Sequence, residues 1–290
     1  MDQFLQHLVN AGVLGATYAL LGIGLTLIFG VMKVANFTHG ELYAFGAYMA
    51  YALITPLGLN FFAGLMLAVV LGVLLGVFIE YVLLRPLQKA DMDTTMLVMI
   101  GAWIALQNSE LLIWGGVAKS VPHPFPTAPF VFGPVSVAPV RVFVVCVALI
   151  LLIGFYVMIN RTNFGIAMRA TFQDPEVSSL MGVKINRMFT LTFAIGSGLA
   201  ASAGALLAPV FVVVPTMGDL VTLKAFAIVI LGGLGNIVGA TIGGFVLGLA
   251  EELGAGYIDS GYRDAMGFLL IIMVLLLRPQ GLFAPRERTG

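Results

Sequence analysis

The sequence predicts an all-α, polytopic transmembrane helix bundle of about eight or nine spans, some of them short or broken. Three observations predict it. Of 290 residues 60% are apolar, about 174 side chains, and one membrane-spanning helix uses roughly 20 mostly apolar residues. Only 10% are charged, against roughly 25% in an average soluble domain, too few to cover a water-exposed surface. The apolar residues also form long continuous runs, unlike the short alternating strands of an outer-membrane barrel. Composition therefore excludes a soluble enzyme, a nucleic-acid binder and a disordered chain.

The elements follow from where charge, proline and turn clusters interrupt the apolar runs. The first run covers about 8–31 and meets the polar stretch 33–41. A short second run, about 42–54, ends at Thr55-Pro56-Leu57-Gly58. The third, about 61–84, stops at Arg85-Pro86, and the fourth spans about 96–114. The stretch 115–139 holds Pro122, Pro124, Pro126, Pro129, Pro134 and Pro139; it cannot be a membrane helix and reads as a loop. The fifth run is 140–159, and 160–187 is the longest polar segment. The sixth covers about 188–214. Two short apolar stretches, 223–231 and 237–250, flank Gly232-Gly233-Leu234-Gly235-Asn236. The last run, 265–277, closes at Arg278-Pro279. All of 1–290 reads as one transmembrane domain.

Lysine and arginine placement sets the orientation. If 160–187 is cytoplasmic and the runs alternate, the cytoplasmic side holds ten basic residues, among them Lys33, Arg85, Lys89, Arg161, Arg169, Lys184, Arg187, Arg286 and Arg288. The outer side holds four: Lys119, Arg141, Lys224 and Arg263. The expectation is an outer N-terminus and a cytoplasmic C-terminus. No cleavable signal is expected, because Met1 to His7 carries Asp2 and no basic residue and the first run is too long for a signal core.

Within 160–187, Asp174-Pro175-Glu176 is a helix start: an Asp N-cap, a first-turn proline and a first-turn acid. Val177 to Met181 continue it, and Gly182 offers a left-handed C-cap. Val177, Leu180 and Met181 share one face. That face packs on this chain's own helix ends or docks a cytoplasmic partner. Asn36, Phe37, Thr38, His39, Gly40 and Glu41 lie between two apolar runs with almost no loop. Such a polar break is either an ordinary turn with Glu41 near Lys33, or a broken helix lining a path, since polar groups at membrane depth face the interior or a cavity. Gly235, Gly239 and Gly243, spaced by four on one helix face, with Gly232 and Gly233, read as close helix packing. Glu80, beside Arg85, and Asn108 and Glu110 read as satisfied polar groups.

No glycine is followed by lysine in a nucleotide-binding loop, so no nucleotide or other cofactor is expected on this chain. His7, His39 and His123 share no helical spacing, which argues against a metal site. Cys146 is the single cysteine and cannot form an intrachain disulfide. Gly196-Ser197-Gly198 lacks the spacing of a nucleophile elbow, so no enzyme is expected.

Four segments together resemble the permease subunits of branched-chain amino acid ABC importers. Gly24 to Met32 followed by Asn36-Phe37-Thr38-His39-Gly40 resembles that family's first signature, with Thr38 where alanine is more usual. Gly165-Ile166-Ala167-Met168-Arg169-Ala170 with Asp174, Pro175 and Gly182 resembles its cytoplasmic loop. Gly232-Gly233-Leu234-Gly235-Asn236 resembles its glycine-rich segment, and Arg278 to Phe283 its C-terminal end. The resemblance implies a bacterial inner-membrane protein that pairs with a second permease, two cytoplasmic ATPases that carry ATP and Mg, and a periplasmic substrate-binding protein. It makes 174–182 (Asp174, Pro175, Glu176, Val177, Leu180, Met181, Gly182) the ATPase coupling helix and the cargo an aliphatic amino acid. A urea or short-amide permease and an ion-coupled secondary transporter are the alternatives.

Overall fold

The computed structural model describes residues 2–88, 90–133, 135–278 and 281–283. Among them are eleven α-helices: α1 (Asp2–Met32), α2 (His39–Ile54), α3 (Phe61–Ile79), α4 (Met92–Trp114), α5 (Pro139–Arg161), α6 (Asn163–Gln173), α7 (Pro175–Leu180), α8 (Ile185–Leu207), α9 (Met217–Gly232), α10 (Ile237–Tyr257) and α11 (Arg263–Leu277). Seven helices are long and apolar enough to cross a membrane: α1, α3, α4, α5, α8, α10 and α11, some with short helical extensions. The polytopic helical bundle expected from composition is the observed fold. The Pro-rich loop adds an antiparallel hairpin, Phe130–Phe132 with Val135–Val137.

α1 is the axis of the bundle. The α1 span is 89% buried inside the protein, against 11% for α4 and 6% for α11. A helix that is apolar all round belongs in the centre, and α1 packs on α10, α8, α5 and α9. α4 and α11 turn Leu112, Ile113, Leu276 and Leu277 outward, which apolar lipid chains solvate as well as a protein interior does.

Because burying apolar area does not drive helices together in lipid, close backbone approach must hold them. Glycine supplies it. A Cβ on Gly244 would meet the α1 backbone at Ala19 at 2.5 Å, and one on Gly248 would meet Gly15 at 2.7 Å. Gly46 and Gly204 let α2 cross α8 against Ala201 and Tyr43, and Gly72 and Gly76 let α3 lie on Ala201 and Ser197. Gly232 and Gly239 face each other backbone to backbone where α9 meets α10.

Several boundaries differ from the sequence reading. α10 starts at Ile237 with Asn236 as N-cap, whose side chain accepts from Gly239 N. Gly235 therefore lies in the preceding turn with φ 82, and Gly233 likewise with φ 87; Gly232, Gly239 and Gly243 make the close approach of α9 and α10, while Gly235 lies against the Phe172 ring. The third span runs past Arg85-Pro86 through a π-helical turn, Glu80–Leu84, and a 3-10 turn, Arg85–Leu87. Proline is tolerated there because it falls in the first turn of the new segment. Much of the polar stretch 160–187 is helical: α6 folds back on the end of α5, with Gly165 against Ile159 and Arg169 Nη1 donating to the Ile159 carbonyl. Lys224, counted among outer-loop charges, lies within α9. Lys89, Pro279, Gln280, Arg286 and Arg288, used for orientation or motif, lie outside the described residues.

The glycine contacts give a direct test. Gly204→Val, which drives a branched side chain into the Tyr43 carbonyl, is expected to destabilise the protein by about 1–3 kcal/mol or more. Gly154→Ala, where an added Cβ meets nothing within 4 Å, is expected to fall within about 0.5 kcal/mol of the parent or gain slightly. Unfolding by titration of denaturing detergent into mild micelles measures both.

Candidate functional site

The polar break at 33–41 brings the chain back into the bundle. α1 ends at Met32, and Lys33 takes the left-handed conformation at φ 54, reversing the chain. Seven residues beyond Met32, His39 Nε2 lies 3.0 Å from the carbonyl of Leu21. Leu21 is eleven residues before the end of α1, about 16 Å back along the helix at 1.5 Å per residue. α2 therefore starts inside the bundle. Its 16 residues span about 24 Å, less than the roughly 30 Å hydrocarbon core.

Asn36, Thr38, His39 and Glu41 are all fully buried. Asn36 builds the turn: its Oδ1 accepts from Thr38 N at 3.1 Å and from Thr38 Oγ1 at 2.5 Å. Gly40 is small because α9 lies on it; a Cβ there would collide with the Gly218 carbonyl and Thr222. Of the two readings of this segment, the surface turn with Glu41 near Lys33 is not what is observed. Lys33 is exposed while Glu41 is sealed inside.

α9 is also 16 residues long, and it meets α2 start to start. The two starts repeat one pattern, Thr38-His39-Gly40-Glu41 and Thr216-Met217-Gly218-Asp219. The N-cap threonines have nearly the same backbone, φ −77, ψ 0 and φ −92, ψ 4. Each helix carries one first-turn carboxylate, which complements the positive end of its dipole. The Cβ missing from Gly218 would fall on the Glu41 carboxylate. Trp103 of α4 bridges the pair: its Nε1 lies 3.1 Å from Glu41 Oε1 and 3.1 Å from Asp219 Oδ1, and Gln107 Nε2 donates to Asp219 Oδ1 at 2.6 Å.

Sequence reasoning reached Glu41 but missed Asp219, Trp103 and Gln107. The repeated Thr-x-Gly-acid pattern was the available signal for Asp219. The recurrence of Trp103, Gln107, Glu110 and Trp114 at helical spacing was the signal for α4. Glu80 is buried and accepts from Thr190 Oγ1 at 2.8 Å, while Arg85 stacks on Tyr81 at 4.9 Å; Glu80 and Arg85 are not partners. Glu110 is not a satisfied group: both carboxyl oxygens are buried without a hydrogen-bond partner. Asn108 is satisfied by the Ile104 carbonyl at 2.8 Å. The Ser197 hydroxyl has no hydrogen-bond partner and the His39 ring nitrogen bonds backbone instead, so the two form no nucleophile–base pair.

A second polar cluster, spread along the first half of α1, ties it to α9, α10 and α11. Lys224 Nζ lies 2.9 Å from Glu251 Oε2, 2.7 Å from Asp264 Oδ1 and 2.9 Å from Tyr18 OH. Beside it, Glu252 receives His7 at 3.2 Å, Asn10 at 3.0 Å and Arg263 at 3.2 Å.

At the far end of the bundle stands α7. Asp174 caps it, accepting from Glu176 N at 2.9 Å and Val177 N at 3.0 Å, and Gly182 ends it at φ 88. The helix turns Ser178 inward and leaves Leu180 85% and Met181 82% exposed, with Val177 also uncovered. Its apolar face does not pack on this chain's own helices. A cavity of about 730 Å³ beside it is lined by Tyr81, Arg85, Lys184, Arg187 and Thr190, among others.

Long spans around two helices that begin inside the bundle, with a capped apolar helix uncovered at one end, define a polytopic membrane permease. The chain belongs to the family of branched-chain amino acid transport system permease components, whose model matches residues 7–277. It is similar to the high-affinity branched-chain amino acid transport system permease protein BraD of Pseudomonas aeruginosa, at 37% identity over 98% of this chain and 97% of that protein. It is likewise similar to LivH of Escherichia coli K12, at 35% identity over 98% and 96%. A second permease protein of that organism's high-affinity system, LivM, is 26% identical over 94% of this chain and 69% of its own length. Among solved structures, PsaBC from Streptococcus pneumoniae in complex with Fab matches with a TM-score of 0.51 at 14% identity, covering 98% and 93%, a likeness of fold.

The lysine cluster predicts a stability cycle. Lys224→Met leaves Glu251 buried without its countercharge and is expected to cost about 3–5 kcal/mol. Lys224→Met combined with Glu251→Gln is expected to cost less than the single change. Detergent unfolding of the three variants checks the order.

Proposed function

We propose that this chain is one membrane-spanning subunit of an ATP-driven importer for aliphatic, branched-chain amino acids, and that it hydrolyses nothing itself. The observation that carries the reading is the exposed apolar face of α7, held in a rigid, double-capped helix at the end of the bundle that also bears Arg169, Lys184 and Arg187. Val177, Leu180 and Met181 dock there into a cleft of a separate ATPase subunit, which binds ATP and Mg. Closure of two such ATPases moves α7, and the packed helices α6 and α8 pass that motion on as a rigid-body shift. A second, related permease completes the path, as the similarity to both LivH and LivM supports. A substrate-binding protein delivers cargo at the opposite end. In this orientation the N-terminus faces outward and the C-terminus the cytoplasm of a bacterial inner membrane.

The break at Asn36, Thr38, His39, Gly40 and Glu41 lines the path. Helices interrupted at membrane depth present their starts and polar groups to a passing solute, and here two such starts meet.

Two variants test the two ends separately. Leu180→Asp is expected to insert normally but to lose the co-purifying ATPase and reduce ATP-dependent leucine uptake to background. Asn36→Leu, which removes the turn holding Thr38, is expected to keep the ATPase and lower uptake at least tenfold. Normal uptake by Leu180→Asp would sink the docking role. Uptake that persists without ATP and collapses with an uncoupler would instead establish an ion-coupled carrier, and selective uptake of urea an amide permease.

A further inference from the structure

α2 and α4 lie side by side, and two contacts set their register. Trp103 of α4 reaches Glu41 of α2, and Trp114 stacks on Tyr48 with ring centroids 4.8 Å apart. Trp103, Gln107, Glu110 and Trp114 fall on one face of α4, because steps of four, three and four residues each return to the same side of a helix. Glu110 lies between the two contacts, so its carboxyl enters the seam between Glu41 and Tyr48. Its burial agrees: Glu110 is 3% exposed, while its neighbours Ser109 and Leu111 face outward.

The seam holds four buried oxygens with no hydrogen-bond partner: Glu41 Oε2, both oxygens of Glu110, and Tyr48 OH. The ion pairs among the described residues engage Glu251, Glu252 and Asp264, and none reaches this seam. Lys119 sits over the Tyr51 ring at 5.9 Å, and Lys224 is engaged by Glu251 and Asp264. Buried carboxyls without a countercharge are costly in a bilayer, and a stability argument gives no reason to gather them with a third acid, Asp219, close by.

We infer that the α2–α4 seam is a binding site for a primary ammonium group, the charged head of the amino acid in transit, received by Glu41 and Glu110. This rests on the amino-acid reading above. A primary ammonium has three donors and no acceptor, which matches the unpartnered carboxyl oxygens of Glu41 and Glu110 and the Tyr48 hydroxyl, which can accept. The Tyr48 and Trp114 rings wall one side, and aromatic faces attract cations. A carboxylate end is repelled by the acids, so the seam sorts the two ends of a zwitterion.

The test uses the complete transporter with its partner subunits in lipid nanodiscs. A hydrophobic carbodiimide labels Glu41 and Glu110, and peptide mass spectrometry reads the rate at each. L-leucine and isopentylamine, which carry the ammonium, are expected to slow labelling at least threefold. 4-Methylpentanoate, which has the same side chain without the ammonium, is expected to leave it unchanged. Equal protection by 4-methylpentanoate, protection by none, or protection by sodium chloride at the same concentration each overturns the assignment, the last in favour of an inorganic cation. If neither carboxyl reacts, Glu110→Gln decides. Uptake of leucine by the assembled complex is expected to fall at least tenfold and to recover largely in Glu110→Asp, and uptake within twofold of wild type overturns the site. Wild-type leucine uptake separates the two readings: its absence sinks the amino-acid importer, whereas uptake with a seam blind to amines sinks only the ammonium site.

Discussion

The rest of the structure depends on one constraint: inside a bilayer every backbone polar group must find its partner within the protein, because lipid offers none. A helix that starts at depth violates that rule at its first turn, where four N–H groups lack intrahelical acceptors. α2 and α9 resolve it jointly. Their starts lie together, shielded from lipid by α1, α4 and α8, and each brings a carboxylate to its own positive end. Asn36 closes the turn that aims α2, and Trp103 joins the two acids.

Such a junction exists only if the surrounding helices come close enough to seal it. That explains why glycine is placed at crossings: Gly40 on Gly218, Gly24 on Gly196, and Gly204 on Tyr43. Each contact trades side-chain burial for backbone proximity, which in lipid is the stronger source of adhesion. The Lys224 cluster works differently. It fastens α9 to α1, α10 and α11 by charge, and buried charge pairs fix register more than they add stability. Thus α9 is held by glycine contact at its start and by an ion pair at mid-helix.

The helix junction and α7 obey opposite rules. The half-helix junction hides polar groups from an apolar surround. α7 exposes apolar groups to water. Both arrangements are unfavourable for an isolated subunit, and both become reasonable if a solute meets the first and a protein partner meets the second. Gly182, Asp174 and the fold of α6 onto α5 hold α7 in shape; a six-residue helix is not stable on its own.

The sequence by itself determined the class, the helical bundle, the capped helix at 174–182 and the presence of a polar break at 36–41. These are local or compositional properties: apolar run length, N-cap chemistry and a glycine with positive φ are legible one segment at a time. Only the tertiary structure decided that the break returns to the level of Leu21, that Gly235 belongs to a turn rather than a packing face, and that Glu110 points into a seam with Glu41. Residues 41, 110 and 219 are far apart in the chain, and no local preference registers which helix faces converge. Their meeting is set by the packing of α2 against α9 and α4, a property of the packed bundle as a whole.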